Sequence, residues 1–255
     1  MLSNLASARL SRQTEQVPQP TRAQTARERV RSELTSEIKD AARRQLAAEG
    51  AAALSLRAVA RDLGMVSSAL YRYFPSRDAL LTALIIDAYA SLGAAAEQAE
   101  AAVRGRDVLS RWMAVGRAVR LWALTNPHEY ALVFGSPVPG YAAPQDTVVQ
   151  ASRVPALLSA LMPDVMAGGA YGPAGRAEGR VAVPRRVHRA LAPVRETLPA
   201  MVPDDLVVAG LMAWTYLFGA VSFEVFGHRT GVISDPGAFF EFELLRIAEL
   251  LGLVG

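Results

Sequence analysis

Side chains suited to covalent or metal chemistry are sparse and scattered. Among 255 residues there is no cysteine, which removes thiolate nucleophiles, thiolate metal sites and disulfides. His128, His188 and His228 are the only histidines, and none has a second histidine at metal-ligand spacing. His128-Glu129 begins like a zinc-protease helix but lacks the later histidine. Neither a Gly-x-Ser-x-Gly elbow nor a phosphate loop ending in Lys-Ser/Thr is present. No catalytic residue, metal or cofactor is expected, so the chemistry to look for is recognition.

Residues suited to recognition crowd into one stretch, Ser55 to Arg77. There Ser67, Ser68, Ala69, Tyr71, Arg72 and Tyr73 surround two apolar residues four apart, Leu70 and Phe74. A helix-turn-helix needs two short helices at a steep angle with a tight turn between them. Ala60 is small where two such helices must approach, Gly64 permits the turn, and Leu70 and Phe74 face the core. The six residues around them are left to divide between a DNA groove and its phosphate walls. Ser67, Ser68 and Ala69 cannot form the bidentate bonds by which arginine reads guanine or glutamine reads adenine. They leave the operator sequence unread, with thymine methyls, water and DNA shape as the remaining sources of specificity.

Charge agrees with a polyanion partner. Residues 1–81 carry 13 Lys and Arg against 8 Asp and Glu, a net of +5; residues 82–255 carry 14 against 16, a net of −2. A basic front is a weak signal alone, since many solvated surfaces carry such an excess. Residues 1–24, rich in Ser, Gln, Thr, Pro and Arg, read as a flexible arm. Tracking DNA phosphates and being a passive tail are both open for it.

The elements that must position this stretch read as helices, and no convincing strand or repeat is found. Val30, Leu34, Ile38, Ala41, Ala42 and Leu46 predict a helix from about Ala26 to Glu49, ended by Gly50. Ser55 is expected to cap a second helix with Leu56, Val59, Ala60 and Leu63 inside. A third runs from about Ser67 to Tyr73, and a fourth from Arg77 to about Ala102, started by Pro75 and Ser76. Further helices are expected over Arg106–Thr125, Pro127–Phe134, Gln145–Met162, Pro184–Leu198, Asp204–Gly227 and Asp235–Leu253, with Pro155 kinking or dividing the third of these. Loops are expected at Gly135–Pro144 and Gly168–Pro184. Leu206 to Phe223 contains no charge and is long enough to span a membrane. A helix buried on all sides of a helical domain is the preferred reading, since the rest of the chain reads as soluble and no secretory signal opens it.

From about Arg29 to Leu84, and most densely over Leu70 to Leu81 (Leu-Tyr-Arg-Tyr-Phe-Pro-Ser-Arg-Asp-Ala-Leu-Leu), the chain resembles the TetR family of bacterial regulators. That resemblance implies an all-α fold. The arm at 1–24 would be followed by a three-helix DNA-binding domain at 25–80 and a ligand-binding and dimerising domain at 81–255. It implies a cytoplasmic homodimer that binds a near-palindromic operator in double-stranded DNA. Such a protein is expected to repress, and to release DNA when a small lipophilic effector binds. Position by position, Ser67, Ser68 and Ala69 would face base edges. Tyr71 would reach a phosphate, with packing as its other reading. Tyr73 stands where the family often has histidine, and Arg77 replaces the usual lysine beside a helix N-terminus, where phosphate is attracted. Arg57 is a further phosphate candidate.

Trp122 to Tyr141, Trp214 to Gly219 and Phe223 to His228 resemble a C-terminal subfamily of these regulators named for a Trp-His-Gly pattern. Phe218 holds the place of that histidine, so any contact the histidine makes would be lost here and apolar surface gained. Trp112, Met113, Trp122, Tyr130 and Phe134, with Met212, Trp214 and Phe218, supply aromatic and soft surface for an effector pocket; ordinary core packing remains the other reading. Leu206–Phe226 and the apolar residues from Phe239 to Leu251 carry surplus apolar surface. They are expected to pair with a second copy as a four-helix interface.

Overall fold

A computed structural model describes residues 22–167 and 182–253, which form helices and turns with no strand among them. Most of the expected arm at 1–24 and of the expected loop at 168–184 lies outside the described residues. The first helix, α1 (Arg22–Glu49), begins four residues before the periodicity suggested. Ile38, Ala41, Ala42 and Leu46 are buried, whereas Val30 is 61% exposed. The early turns of α1 run past the helices it packs on, so Val30 has nothing to bury against.

Gly50, at φ +79°, ends α1, and a 3-10 turn (Ala51–Ala53) leads into α2 (Leu56–Asp62), α3 (Ser67–Leu70) and α4 (Arg77–Ala102). Ser55 takes the N-cap position of α2 but its hydroxyl caps nothing. Its backbone N–H donates instead to Gln45 Oε1 at 3.1 Å. Ser76 is a true cap: its hydroxyl accepts from Ala79 N at 3.0 Å, satisfying one of the four unpaired amides at that helix start. Leu46, Val59, Leu70, Phe74, Leu80 and Leu84 are among the residues that bury together as the core of this head.

The α4 helix continues without a break into the body, so the boundary expected at residue 80 falls inside a rigid rod. Its far half packs on α5 (Val108–Thr125), α6 (Pro127–Phe134), α7 (Asp146–Ala151) and α8 (Arg153–Ser159). After α9 (Met162–Ala167) come α10 (Arg185–Ala190), α11 (Ala192–Arg195), α12 (Asp204–Val225) and α13 (Pro236–Leu250). The helix expected over 145–162, with Pro155 kinking or dividing it, is two pieces, α7 and α8, before α9 opens at Met162, and that over 184–198 is two. Proline explains this in part: Pro155, Pro163 and Pro193 each lie in the first turn of a new piece, where a missing N–H costs nothing.

Polar atoms inside the body are satisfied. Trp112 Nε1 donates to Leu244 O at 2.9 Å, and the Tyr130 hydroxyl donates to Phe218 O at 3.0 Å. Both α4 and α12 are long and apolar enough to cross a membrane. On α12, Leu206, Ala213, Leu217 and Val221 are buried, while Met212, Tyr216 and Phe223 are 53%, 41% and 54% exposed. Within one chain, therefore, α12 is not buried on all sides as expected. It presents an apolar stripe outward.

Candidate nucleic-acid interface and ligand cavity

The turn between α2 and α3 is set by backbone chemistry. Met65 N donates to Ala60 O at 2.8 Å and Gly64 N to Arg61 O at 3.1 Å, the paired bonds of a Schellman motif. Gly64 sits at φ +64°, a conformation that costs a side-chain-bearing residue roughly 1–2 kcal/mol. The helix that follows is only four residues long, and Tyr71 to Tyr73 extend it as turns bonded to Ser67, Ala69 and Leu70. So short a helix has no stability alone. Leu70, 0% exposed, and Phe74, 7% exposed, fasten it to the head.

On the outer side of this anchor Ser68, Tyr71 and Arg72 are exposed, and Ser67, Ala69 and Tyr73 are half-buried. Tyr71, at 45% exposure, lies outside the head core. Tyr73 packs partly against that core, and the Arg31 guanidinium stacks 5.6 Å from its ring centre. Arg57 is exposed on the first turn of α2. Among the described residues Arg57, Arg61 and Arg72 form no ion pair, so their charge is free to act on a polyanion. Val66, at the N-cap of α3, is 70% exposed. Sequence reading passed over it; its one signal was a branched aliphatic residue at the leading end of a helix that otherwise shows small polar groups.

Arg77 has a structural task as well as a charge. Its Nε donates to Leu54 O at 3.1 Å, and its Nη2 donates to Ala51 O at 2.9 Å and Ala52 O at 3.2 Å. It thereby ties the start of α4 to the turn before α2. Nη1 meets only the exposed Asp78, at 3.5 Å. The head is tied to the body by further contacts. Asp87 of α4 pairs with Lys39 and Arg43 of α1, and Arg43 also reaches Glu129 of α6. Tyr141, in the loop after α6, bonds Thr82 at 2.9 Å.

The body holds a cavity of about 640 Å³ between α8, α9, α11 and α12. Trp112 and Trp214 line it, as do Met162, Pro155, Leu198 and Leu206. A smaller void of about 130 Å³ lies beside it, lined by Phe134, Phe218, Tyr89 and again Trp214. The expected pocket residues therefore divide. Trp112 and Trp214 face the large cavity, and Phe134 and Phe218 face the small one. Met113, Trp122 and Tyr130 line neither: they are buried core. Trp122 Nε1 donates to Ser91 Oγ at 2.9 Å, and burial pushes the Tyr130 phenol up to about 12. Met212 is exposed on the outer stripe of α12. Phe218 stacks on Phe134 with ring centres 4.6 Å apart, an apolar contact between two phenyl rings.

The wall is braced to α4 by ion pairs. Arg153 of α8 bonds Glu97 at 2.6 Å and Ala90 O at 2.7 Å, and its side chain lies so close to Gly93 that a Cβ there would meet it at 2.8 Å. Hydrogen bonding to Arg153 holds the Glu97 carboxyl below its ordinary range. Glu100, 1% exposed, takes Arg104 and Arg111, and Arg111 goes on to Asp164 of α9 at 2.5 Å. The Arg104 bond, then that of Arg111, lowers the Glu100 pKa against the opposing effect of burial. Among the described residues no cluster of His, Asp and Glu is placed to hold a metal ion.

A head with an exposed helix-turn-helix, built on the same helix that braces the wall of a hollow helical body, defines a helix-turn-helix transcription regulator. Comparison with known proteins makes the class specific. A model described as "Bacterial regulatory proteins, tetR family" matches residues 38–84, and one described as "Tetracyclin repressor-like, C-terminal domain" matches residues 112–247. The second match spans all three segments that carried the C-terminal resemblance. The HTH-type transcriptional regulator Rv1816 of Mycobacterium tuberculosis is 40% identical over 227 residues, covering 87% of this chain and 93% of that protein. The crystal structure of the regulatory protein SCO4313 superposes with a TM-score of 0.70 at 36% identity, over 87% of this chain and 98% of the other. A tetR-family regulator from Rhodococcus RHA1 shares the fold, with a TM-score of 0.59 at 17% identity over 87% of this chain and 98% of its own. The chain belongs to the TetR family of transcription regulators.

Proposed function

We propose that this regulator is a homodimeric repressor that leaves its operator when a lipophilic molecule enters the body cavity. The observation that carries the reading is the unbroken α4: its first turns fasten the DNA-reading head, and its far half is braced by Arg153 and Arg111 to the helices around the cavity. A ligand that favours one arrangement of α8 and α9 over another biases both heads by that difference in affinity. Ser67, Ser68 and Ala69 face base edges, and Val66 adds methyl groups that suit a thymine methyl. Tyr71, Tyr73, Arg57 and the Nη1 edge of Arg77, which within the chain meets only the exposed Asp78, contact phosphates.

In the dimer the outward stripes of α12 and α13 pair. Met212, Tyr216 and Phe223 on one helix, with Phe239, Phe242 and Leu245 on the other, are 39–58% exposed in the single chain, which is apolar surface that a second copy would cover. Such a two-fold pair places its recognition helices about 34–36 Å apart, or at a multiple of that. The reading places the protein in the cytoplasm, on DNA. A gel shift on the DNA upstream of its own gene tests it. Retention under competitor DNA is expected, followed by release when a lipophile is added. Binding that competitor removes as readily as any other would refute a specific regulator.

A further inference from the structure

We infer that the large cavity selects an uncharged molecule: a lipophile with one hydrogen-bonding oxygen, in preference to the carboxylate or ammonium of the same chain. This rests on the cavity being the effector site, and it narrows what that effector is. At about 640 Å³ the cavity falls in the roughly 300–1,000 Å³ range of small-molecule sites. At a water-like 30 Å³ or so per heavy atom, it admits at most about twenty non-hydrogen atoms.

The lining decides the charge. None of the described lining residues is acidic or basic. Its polar groups are few, and most are already used. Trp112 Nε1 is held by Leu244 O. The Ser152 hydroxyl donates to Val149 O at 3.0 Å, and that of Thr197 to Val194 O at 2.7 Å. Ser159 Oγ and Trp214 Nε1 remain, with no partner among the described residues. Of these side chains at most one hydroxyl and one N–H are left for a ligand, which suits a single alcohol, ketone or ester oxygen.

The cations nearest the wall along the chain are engaged elsewhere. Arg153, beside Ser152, pairs with Glu97; Arg111 pairs with Glu100 and Asp164; Arg195, beside Val194, pairs with Asp204 at 3.5 Å. Among the described lining residues a carboxylate that lost its water would find no counterion, and an ammonium no carboxylate. A buried, unpaired charge is among the most heavily penalised groups in a protein interior.

The test compares three ten-carbon probes on the full-length wild-type protein at pH 7.5: 1-decanol, decanoate and decylammonium. Binding is followed by tryptophan fluorescence and by the shift in melting temperature. Decanol should bind at least tenfold more tightly than either charged probe. In Ser159→Ala, decanol should weaken by roughly 3–10-fold, the range of one hydrogen bond, while 1-chlorodecane should change less than twofold. A preference for decanol below tenfold, a preference for either ion, or no binding by any probe up to its solubility limit overturns the inference. A gel shift on the same samples separates it from the reading it rests on. If decanol binds with the stated preference and DNA stays bound, the ligand class stands and the release mechanism fails.

Discussion

Replacing Arg77 with alanine removes three bonds from one guanidinium to the carbonyls of Leu54, Ala51 and Ala52. Each intramolecular hydrogen bond contributes about 1 kcal/mol net, and a charged donor somewhat more. The three losses are unequal. Ala52 is exposed and its carbonyl regains water, whereas Leu54 is 3% exposed and its carbonyl is left poorly solvated. The Arg77 side chain is itself 29% exposed, which trims the sum. The expected cost is about 2 kcal/mol, read as a lower urea midpoint at fixed protein concentration, since a dimer's stability depends on it. Arg77→Lys should lose a similar amount, because one ammonium on a flexible stem cannot reach three divergent carbonyls. DNA binding supplies the second readout. If Nη1 also meets a phosphate, the salt dependence of binding should flatten by about one unit of slope per head in the alanine variant and hold in the lysine variant. A stability loss below about 0.5 kcal/mol in Arg77→Ala would refute the clamp.

Three further outcomes are expected. Once an operator is defined, replacing its thymines one at a time with deoxyuridine should locate a symmetric position where loss of the methyl costs about fourfold per half-site; Val66→Ala should be insensitive there, and equal sensitivity in both proteins would remove Val66 from the interface. Glu100→Gln should destabilise by about 1–2 kcal/mol at pH 7, allowing for the solvent-exposed Arg104. The Glu100 carboxyl is held below its ordinary value, so its contribution is complete above the unfolded pKa of about 4.3 and is lost as pH falls through the lower native value; the variant's urea midpoint should fall less steeply below about pH 5, and an unchanged acid limb would deny Glu100 that share. Phe242, 58% exposed, should tolerate arginine in the monomer, so Phe242→Arg should sediment as a folded monomer at micromolar concentration and bind its operator far more weakly. A Phe242→Arg dimer would move the interface elsewhere.

Much of the head was legible from the chain because its signals are local. Gly64 must be glycine for its φ, Leu70 and Phe74 lie one turn apart, and Pro75-Ser76 starts a helix within four residues. Spacing carried those elements, and the resemblance over Leu70 to Leu81 carried the family. The same locality misled at Ser55, whose capping chemistry was right in type, yet whose place is held by Gln45 from the preceding helix. Pro155 was legible as a divider of the stretch over 145–162, whereas Pro193 was not: it opens a new helix inside the single helix expected over 184–198.

The tertiary structure alone decided what depends on residues far apart. The partners of Arg77 come 23 to 26 positions earlier, and no spacing rule joins a guanidinium to bare carbonyls at that distance. Aromatics stand out as candidates for an effector site because size and softness are visible in a sequence. A cavity is a failure of side chains to fill space, and the same apolar residues spell core or cavity until the helices are placed. So the chain by itself determined a helix-turn-helix regulator with a hydrophobic body. Packing decided that Trp122 and Tyr130 are core, that Trp112 and Trp214 face the hollow, and that Arg111, Arg153 and Arg195 beside its wall are paired elsewhere.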